Sequence, residues 1–319
     1  MSSELTVLDA DQIKKSLPWP VLVDALEAMF IRGCEMPLRH HHSIHVPGEE
    51  DATLLLMPAW VEGEYLGVKM ANVFPSNRKQ SVASISANYL LSCGQTGKLL
   101  SVMDAGELTA RRTAAASVLA AKYLLPQKQH RHLMVGTGRL SAALIQAYAS
   151  TFGITDFTIW GRNSTRSAEL AETLSVDDLK VTSVPQDALD QAVAEATIIS
   201  CATMSHEPLI RGELLQPGTH VDLVGSFTPT MREADNTVMQ RAKIFVDTRE
   251  GAMKESGDLA IPLSTGILQS ADILADLSEL CQKTHAGRAD ANDITVFKSV
   301  GVACEDLAAA IVVYRAVSR

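Results

Sequence analysis

The sequence predicts an α/β protein in which a doubly wound parallel sheet is joined to an α+β domain. Three observations predict it. From residue 131 onward, short apolar strands recur at roughly 25-residue spacing with helical stretches between them, the rhythm of a parallel sheet. One of these strands, RHLMV, runs into the glycine turn GTGRLS (136–141) and then into a helix. Between 43 and 104 the pattern differs: β-prone runs are separated by turn formers (PGEE, EGE, PSN, CGQTGK), which describes an antiparallel sheet or partial barrel.

The bulk composition narrows the function classes. A chain of 319 residues, 46% hydrophobic, can bury one large or two medium cores. Its 28 basic and 37 acidic residues give a formal charge of −9, which opposes non-specific nucleic-acid binding because that needs a basic face. The five cysteines, Cys34, Cys93, Cys201, Cys281 and Cys304, form no CxxC pair and read as reduced thiols. The opening MSSELTVLDADQIKK has no apolar segment of signal-peptide length, and no apolar run approaches the ~20 residues of a membrane span. A soluble, cytoplasmic protein with no membrane partner is expected.

Taken in order, residues 9–30 predict a helix. Asp9 or Asp11 can cap it, and Ile13, Leu17, Leu22, Leu26 and Phe30 form a stripe that Pro18 and Pro20 interrupt. Strands follow at 43–46, 53–58, 65–73, 85–91 and 99–103. The alanine-rich stretch 107–124 has no breaker and predicts a helix. Helices at 140–152 and 164–174 then alternate with the strands RHLMV, DFTIWG, KVTSV, ATIISC, HVDLVG and KIFVD. DITVFKSVG is a last strand and turn, and VACEDLAAAIVVYRAV a closing helix. The implied division is 1–115 with 295–319 as one domain, and 116–294 as an inserted Rossmann-type dinucleotide-binding domain.

The glycine turn places Gly136, Thr137, Gly138, Arg139 and Leu140 where helix-start N–H groups meet a pyrophosphate, with Ser141 in the place of the third glycine. At the end of the second strand a carboxylate usually takes the ribose hydroxyls. Here the run after Trp160 is Gly161, Arg162, Asn163, Ser164, Thr165, Arg166. Two arginines beside two hydroxyls suit a 2′-phosphate, so NADP(H) is expected to be preferred and NAD(H) possible. Two further cations stand in unusual places. Lys69 lies within the apolar strand GVKMANV and Arg112 within the alanine-rich helix, where a charge needs a ligand anion or an internal carboxylate. Arg111 points about 100° away from Arg112 on a helix.

Several segments together resemble the ornithine cyclodeaminase/mu-crystallin family and its imine-reductase and alanine-dehydrogenase relatives. They are MPAW (57–60), GVKMANVFPSN (67–77), LTARRTAAASVLAAKYL (108–124), VGTGRLS (135–141), WGRN (160–163), EADNTVMQRAKIFVDTREGAMKESGDL (233–259) and ITVFKSVGVACEDLAAA (294–310). The resemblance implies a homodimer whose N-terminal domain forms the dimer interface and a substrate pocket facing the nicotinamide. It implies that Arg39, Lys69 and Arg112 hold the substrate carboxylate, with Lys69 and Arg112 as the catalytic pair. It also implies that Ser84, Arg112, Thr203, Val224, Gly225, Ser226 and Ser299 serve the nicotinamide half of the coenzyme.

One departure sets the expected reaction. Cyclodeaminases of the family carry an aspartate in a segment like G-A-D-x-P-G-K-x-E. Here the run from Gly225 to Glu233 puts Phe227 at that place, and Leu55 replaces a second carboxylate. A phenyl ring has no proton to exchange. The expected reaction is therefore NAD(P)H-dependent reduction of a cyclic ketimine acid, Δ1-pyrroline-2-carboxylate to L-proline, with Δ1-piperideine-2-carboxylate to pipecolate close behind. The alternatives are an ornithine cyclodeaminase, which Phe227 and Arg162 oppose, an alanine dehydrogenase, and a crystallin-like ligand-binding protein without activity. His40, His41, His42 and His45 read as loop histidines, with no metal site expected.

Overall fold

The computed structural model describes residues 5–80, 82–126, 131–176 and 178–318. The chain opens with β1 (Thr6–Leu8), α1 (Ala10–Ser16) and α2 (Trp19–Arg32). The helix expected over 9–30 is thus two helices. Asp9 caps α1 in a reciprocal capping box with Gln12, and Pro18 starts the second helix with Pro20 in its first turn, where a missing N–H costs nothing. Next come β2 (His40–Ile44), β3 (Ala52–Val61), β4 (Tyr65–Val73), β5 (Ile85–Cys93), β6 (Leu99–Asp104) and α3 (Ala105–Leu124).

The second rhythm follows: β7 (His132–Val135), α4 (Arg139–Phe152), β8 (Asp156–Trp160), α5 (Ser164–Leu174), β9 (Lys180–Ser183), α6 (Leu189–Glu195), β10 (Ile198–Cys201) and β11 (His220–Leu223). It continues through α7 (Asn236–Arg241), β12 (Ala242–Val246), α8 (Arg249–Glu255), α9 (Gly257–Ser264), β13 (Ile273–Asp276), α10 (Leu277–Cys281), β14 (Ile294–Lys298) and α11 (Ala303–Val317). No helix is long and apolar enough to cross a membrane among the described residues.

Two compact units result: Met1–Arg112 with Val302–Arg319, and Thr113–Gly301. The sequence division put 295–301 with the first unit, but β14 pairs with both β11 and β12 inside the second. That strand returns to the middle of the sheet from a distant part of the chain, which strand-by-strand reading does not reveal.

The first unit is a mixed sheet in the order β1-β6-β5-β4-β3-β2, antiparallel except that β1 runs parallel to β6. It is an open sheet, with β2 at one edge. The buried face carries one row of partners across four strands, Met57, Lys69, Tyr89 and Met103, and α11 packs on β3, β4 and β5 with α2 beside it. A lysine therefore stands in the middle of a core row. His40, His41 and His42 lie in β2, not in a loop, on an exposed edge where no alternation marks a strand. Arg111 donates through Nε and Nη2 to the Leu17 carbonyl at 3.1 and 2.7 Å and covers the Trp19 ring, so it serves the end of α1.

The second unit is an all-parallel sheet in the order β13-β12-β14-β11-β10-β7-β8-β9. The strand order reverses between β10 and β7, so the carboxyl ends of these strands border the crevice of a doubly wound sheet. Its central strands are buried on both faces, which is why they read as apolar runs without alternation. One face carries an aliphatic cluster that includes Leu133, Val135, Ile199, Val221, Leu223 and Val296.

The other face carries a buried polar network. Tyr148 Oη donates to Asp222 Oδ2 at 2.6 Å and Ser200 Oγ to the same oxygen at 2.7 Å. His220 bridges Asp222 Oδ1 (3.1 Å) and Thr295 Oγ1 (2.8 Å). Burial pushes the Asp222 carboxyl up, but His220 and the hydroxyl donors outweigh it and hold the pKa below the ordinary value. A depressed carboxylate stabilises the fold above its unfolded pKa, and that contribution is lost as pH falls through the folded one. Asp222→Asn is expected to lose about 3–5 kcal/mol at pH 7 in urea unfolding. Its deficit against wild type should shrink as the pH falls below the carboxylate range. A deficit that does not depend on pH would show that the carboxylate charge is not the stabilising element.

Candidate active site

The turn after β7 is shaped by its glycines. Gly136 has φ +128°, and a Cβ there would lie 2.6 Å from the Ala202 carbonyl oxygen. Only glycine fits both the backbone and the space. Ser141 is fully buried, with its Oγ 3.2 Å from the place of that missing Cβ, so a small hydroxyl fills the third fingerprint position against Gly136. Gly138 caps α4 and differs: a Cβ there would meet nothing within 4 Å. No protein packing demands a glycine at 138. Its missing side chain leaves open the approach to the helix-start N–H groups of Arg139 and Leu140, which have no intrahelical partner.

At the end of β8, Asn163 caps α5 by accepting the Arg166 N–H at 3.1 Å. Arg162, Ser164, Thr165 and Arg166 are all exposed there, and the first turn of α5 holds no acidic residue. Positive charge and free hydroxyls thus surround a helix N-terminus that itself favours anions. Gly161 is tightly held, since a Cβ would press on Thr137 Cγ2 at 2.6 Å and Ser167 Oγ at 2.8 Å.

The remaining expected coenzyme positions in this unit lie at the carboxyl ends of β10, β11 and β14, and two buried carboxylates organise them. Glu233 Oε1 accepts the Thr203 N–H (2.7 Å) and Thr203 Oγ1 (2.9 Å), and its Oε2 accepts the N–H groups of Gly225 (2.7 Å) and Ser226 (3.2 Å). Val224 is buried just before them and donates its N–H to the Cys201 carbonyl. Asp247 Oδ2 accepts Ser299 Oγ (3.2 Å) and the N–H groups of Val300 (2.7 Å) and Gly301 (2.6 Å). Phe227 follows directly and is 45% exposed.

The first unit gathers its own charges. Lys69 Nζ donates to Asp306 Oδ2 at 2.7 Å, Arg112 Nε to Asp306 Oδ1 at 3.1 Å and Arg112 Nη1 to Glu305 Oε2 at 2.6 Å. All of these side chains are at least 95% buried. Lys69 and Arg112 therefore stand as internal ion pairs, and any ligand carboxylate would join a cluster already supplied with anions. Burial lowers the Lys69 pKa to about 8, with Asp306 opposing and Arg112 and Arg39 adding to the fall. Arg39, half-buried before β2, is thus close enough for its charge to be felt at Lys69. Burial pushes the Asp306 carboxyl up, but Arg112 and Lys69 hold it below its ordinary value. Leu55 is opposite Ala71 on β4. Ser84 lies at the start of β5, where its carbonyl accepts the Phe74 N–H at 2.8 Å.

The sequence reading missed Glu305, Asp306, Glu233, Asp247 and Asp258. For Glu305 and Asp306 the signal was present: an acidic pair inside the alanine-rich run VACEDLAAA invites the argument that singled out Lys69 and Arg112. A groove of about 380 Å3 also opens between α6 and the start of β7 and β8, lined by Leu133, Thr158, Ala188 and Ala192 among others. It lies at the opposite end of the strands from the glycine turn.

The parallel sheet, its glycine turn and the ordered loops at the carboxyl ends of its strands define a Rossmann-type dinucleotide-binding protein. Residues 4–319 match the ornithine cyclodeaminase/mu-crystallin family, and the chain belongs to that family. It is 40% identical to Protein SAR DEFICIENT 4 of Arabidopsis thaliana over 87% of this chain and 86% of the relative. It is 34% identical to the Δ1-pyrroline-2-carboxylate reductase of Colwellia psychrerythraea over 96% and 97% of the two chains. The solved structure of Thermococcus litoralis Δ1-pyrroline-2-carboxylate reductase in complex with NADH and L-proline superposes with a TM-score of 0.90 at 29% identity, covering 98% of this chain and 97% of that one.

The two glycines separate fold from binding. Gly136→Ala is expected to cost about 1–3 kcal/mol of stability, from left-handed strain and the Ala202 contact. Gly138→Ala should leave the melting temperature unchanged and weaken nicotinamide dinucleotide binding at least about tenfold in a fluorescence titration. Unaltered binding by the Gly138 variant would remove the turn from the coenzyme site.

Proposed function

We propose that this chain reduces a cyclic ketimine acid with a nicotinamide coenzyme, Δ1-pyrroline-2-carboxylate to L-proline, with the six-membered homologue as a second substrate. By class the chain is an imine oxidoreductase, as the two Δ1-pyrroline-2-carboxylate reductases named above are. The observation that carries the proposal is the charge of the first unit's cluster. Lys69 and Arg112 are held at fixed spacing by Asp306 and Glu305, with the charge of Arg39 felt at Lys69, a buried set of cations that suits a carboxylate. Phe227 stands where the cyclodeaminases carry an aspartate, so no group at that place takes a proton from an amine.

The coenzyme-binding residues would be Gly136, Thr137, Gly138, Arg139 and Leu140 at the pyrophosphate, Arg162, Asn163 and Arg166 at the adenosine end, and Thr203, Val224, Gly225, Ser226 and Ser299 at the nicotinamide end; the family resemblance adds Ser84 and Arg112. When bound, the coenzyme supplies a hydride to the imine carbon. The chain's own residues bind and orient. Lys69 and Arg112, with Arg39, hold the substrate carboxylate, each charge-assisted bond contributing about 1.5–3 kcal/mol. Asp306 fixes the spacing of Lys69 and Arg112 by taking one on each oxygen. The finer coenzyme choice proposed is NADP(H) over NAD(H). Its support is the exposed cationic turn of Arg162 and Arg166, with no acidic residue in the first turn of α5. The working assembly proposed is a cytoplasmic homodimer, on the strength of the family resemblance.

Purified protein mixed with NADPH and Δ1-pyrroline-2-carboxylate is expected to consume the coenzyme, read as loss of its absorbance. Pyruvate with ammonia should give little, and ornithine should release no ammonia. No oxidation with either ring size would overturn the proposal. Lys69→Met is expected to raise KM about 10–100-fold with the fold retained. Arg112→Ala should also destabilise the fold, by about 3–5 kcal/mol, because it takes a buried cationic partner from both Glu305 and Asp306. Arg162→Ala should weaken NADPH and spare NADH; equal losses would refute the 2′-phosphate assignment. Lys69 loses its charge as pH rises through about 8, so kcat/KM for the imine acid should fall above that pH. A profile still flat well above pH 8 would remove the ammonium from substrate binding.

A further inference from the structure

Below the nicotinamide-end loops lies a buried ionic cluster that the proposed reaction does not itself call for. Glu233 is fully buried, and every group that reaches its two oxygens is a donor: the Thr203 N–H and hydroxyl, and the Gly225 and Ser226 N–H groups. The Cys201 thiol lies against it as well. A protonated carboxyl would have no acceptor for its own hydrogen in that set, so the arrangement fits the anion. Burial, with Asp258 adding to it, leaves the Glu233 pKa above the ordinary carboxylate value although Lys298 and the donors oppose the rise.

Asp258 is the second anion. Its Oδ1 accepts the N–H groups of Glu233 (2.7 Å) and Ala234 (3.0 Å), while its Oδ2 faces Lys298 Nζ at 3.5 Å. Lys298 is the last residue of β14 and is fully buried. Among the described residues its ammonium makes no hydrogen bond and Asp258 Oδ2 accepts none. Two carboxylates against one ammonium leave a net charge of −1 inside the sheet's carboxyl end. The tether is sterically strict, because a Cβ on Gly225 would fall 2.0 Å from the Thr203 carbonyl oxygen and 2.5 Å from Glu233 Oε1.

We infer that Glu233 is a positioning residue for the coenzyme. It ties the loops after β10 and β11 into one surface, and with Asp258 it sets a negative charge under that surface that favours the cationic, oxidised nicotinamide over the neutral, reduced one. This rests on the coenzyme reading proposed above. In a doubly wound sheet the second half of a dinucleotide lies over the strands beyond the point of reversal, here β10, β11 and β14. Donating a hydride turns a neutral ring into a cation, so a fixed anion nearby assists the reductive direction without touching the reacting atoms. Little water reaches the cluster to screen it.

The test measures dissociation constants of the oxidised and the reduced coenzyme, with no imine present, on wild type and variants. Glu233→Gln keeps the length, loses the charge and turns an amide donor toward backbone donors. It is expected to weaken both forms, the oxidised one about tenfold more than the reduced. Asp258→Asn removes the same charge and leaves every bond to the Glu233 carboxylate in place, so it should weaken the oxidised form alone. Thr203→Val strips one donor from Glu233 and should weaken both forms equally, which keeps the tether testable should Glu233→Gln fail to fold. An unchanged oxidised-to-reduced ratio in the folded charge variants overturns the electrostatic half. Wild-type affinities in Thr203→Val overturn the tether. Wild-type protein that binds neither coenzyme overturns the functional reading too, whereas wild-type binding with indifferent variants overturns this inference alone.

Discussion

Asp306 is the point on which the first unit turns. It takes Lys69 from β4 on one oxygen and Arg112 from α3 on the other, and Glu305 beside it on α11 takes the rest of Arg112. Three elements far apart in the chain are fixed to one another by charge. Removing such charges from water costs several kcal/mol per ion, and the cost is met only when each finds its opposite at hydrogen-bond distance. A hydrophobic substitute of the same volume would fold as well or better. The cluster is therefore weak evidence for stability and stronger evidence for a site, because it holds cations of defined spacing in a place that packing alone would have filled with leucine.

The second unit obeys the same constraint in a different place. Its parallel sheet is buried on both faces, so a polar side chain within it has to look for its partners in the protein. On one face Asp222 gathers Tyr148, Ser200 and His220 in mid-sheet. At the carboxyl ends of the strands a second set of polar groups collects, where Glu233 and Asp247 each accept several donors from loops. The first arrangement ties neighbouring strands and one helix together. The second sets loops, which have no ladder of their own to hold them. A doubly wound sheet binds ligands at that edge, so loop order there bears on function in a way that mid-sheet order does not.

Much of this was legible in the sequence, for reasons that can be named. The glycine turn was legible because strand, turn and helix have different periods, and Gly136 sits at a backbone angle only glycine accepts freely. Lys69 and Arg112 stood out because charge within apolar runs is rare. β2 was displaced because an exposed edge strand has no buried face to print an alternation. β14 was assigned to the wrong unit because its partners, β11 and β12, come from earlier in the chain, and parallel pairing leaves no local signature. The roles of Glu233, Asp247 and Asp258 were not legible. Acidic residues in polar segments look like solvated surface until the fold closes over them.

The pairing of Lys69 and Arg112 with internal acids sharpens the substrate argument. Bare cations would attract any anion, including a dicarboxylate or a phosphate. Here Asp306 and Glu305 already balance Lys69 and Arg112, so the cluster offers little to a second anionic group. A diamino acid brings a second cation that needs an acid of its own. At the two places where such acids stand in the cyclodeaminases, this chain has Phe227 and Leu55. Neither side chain can accept a hydrogen bond, so an ammonium placed there would forfeit its hydration without return. A ring whose imine nitrogen carries only one proton makes, on the proposed reading, the smaller demand. On the proposed reading, replacing two acids by apolar residues removes one reaction and favours another, with the coenzyme turn and the carboxylate cluster left intact.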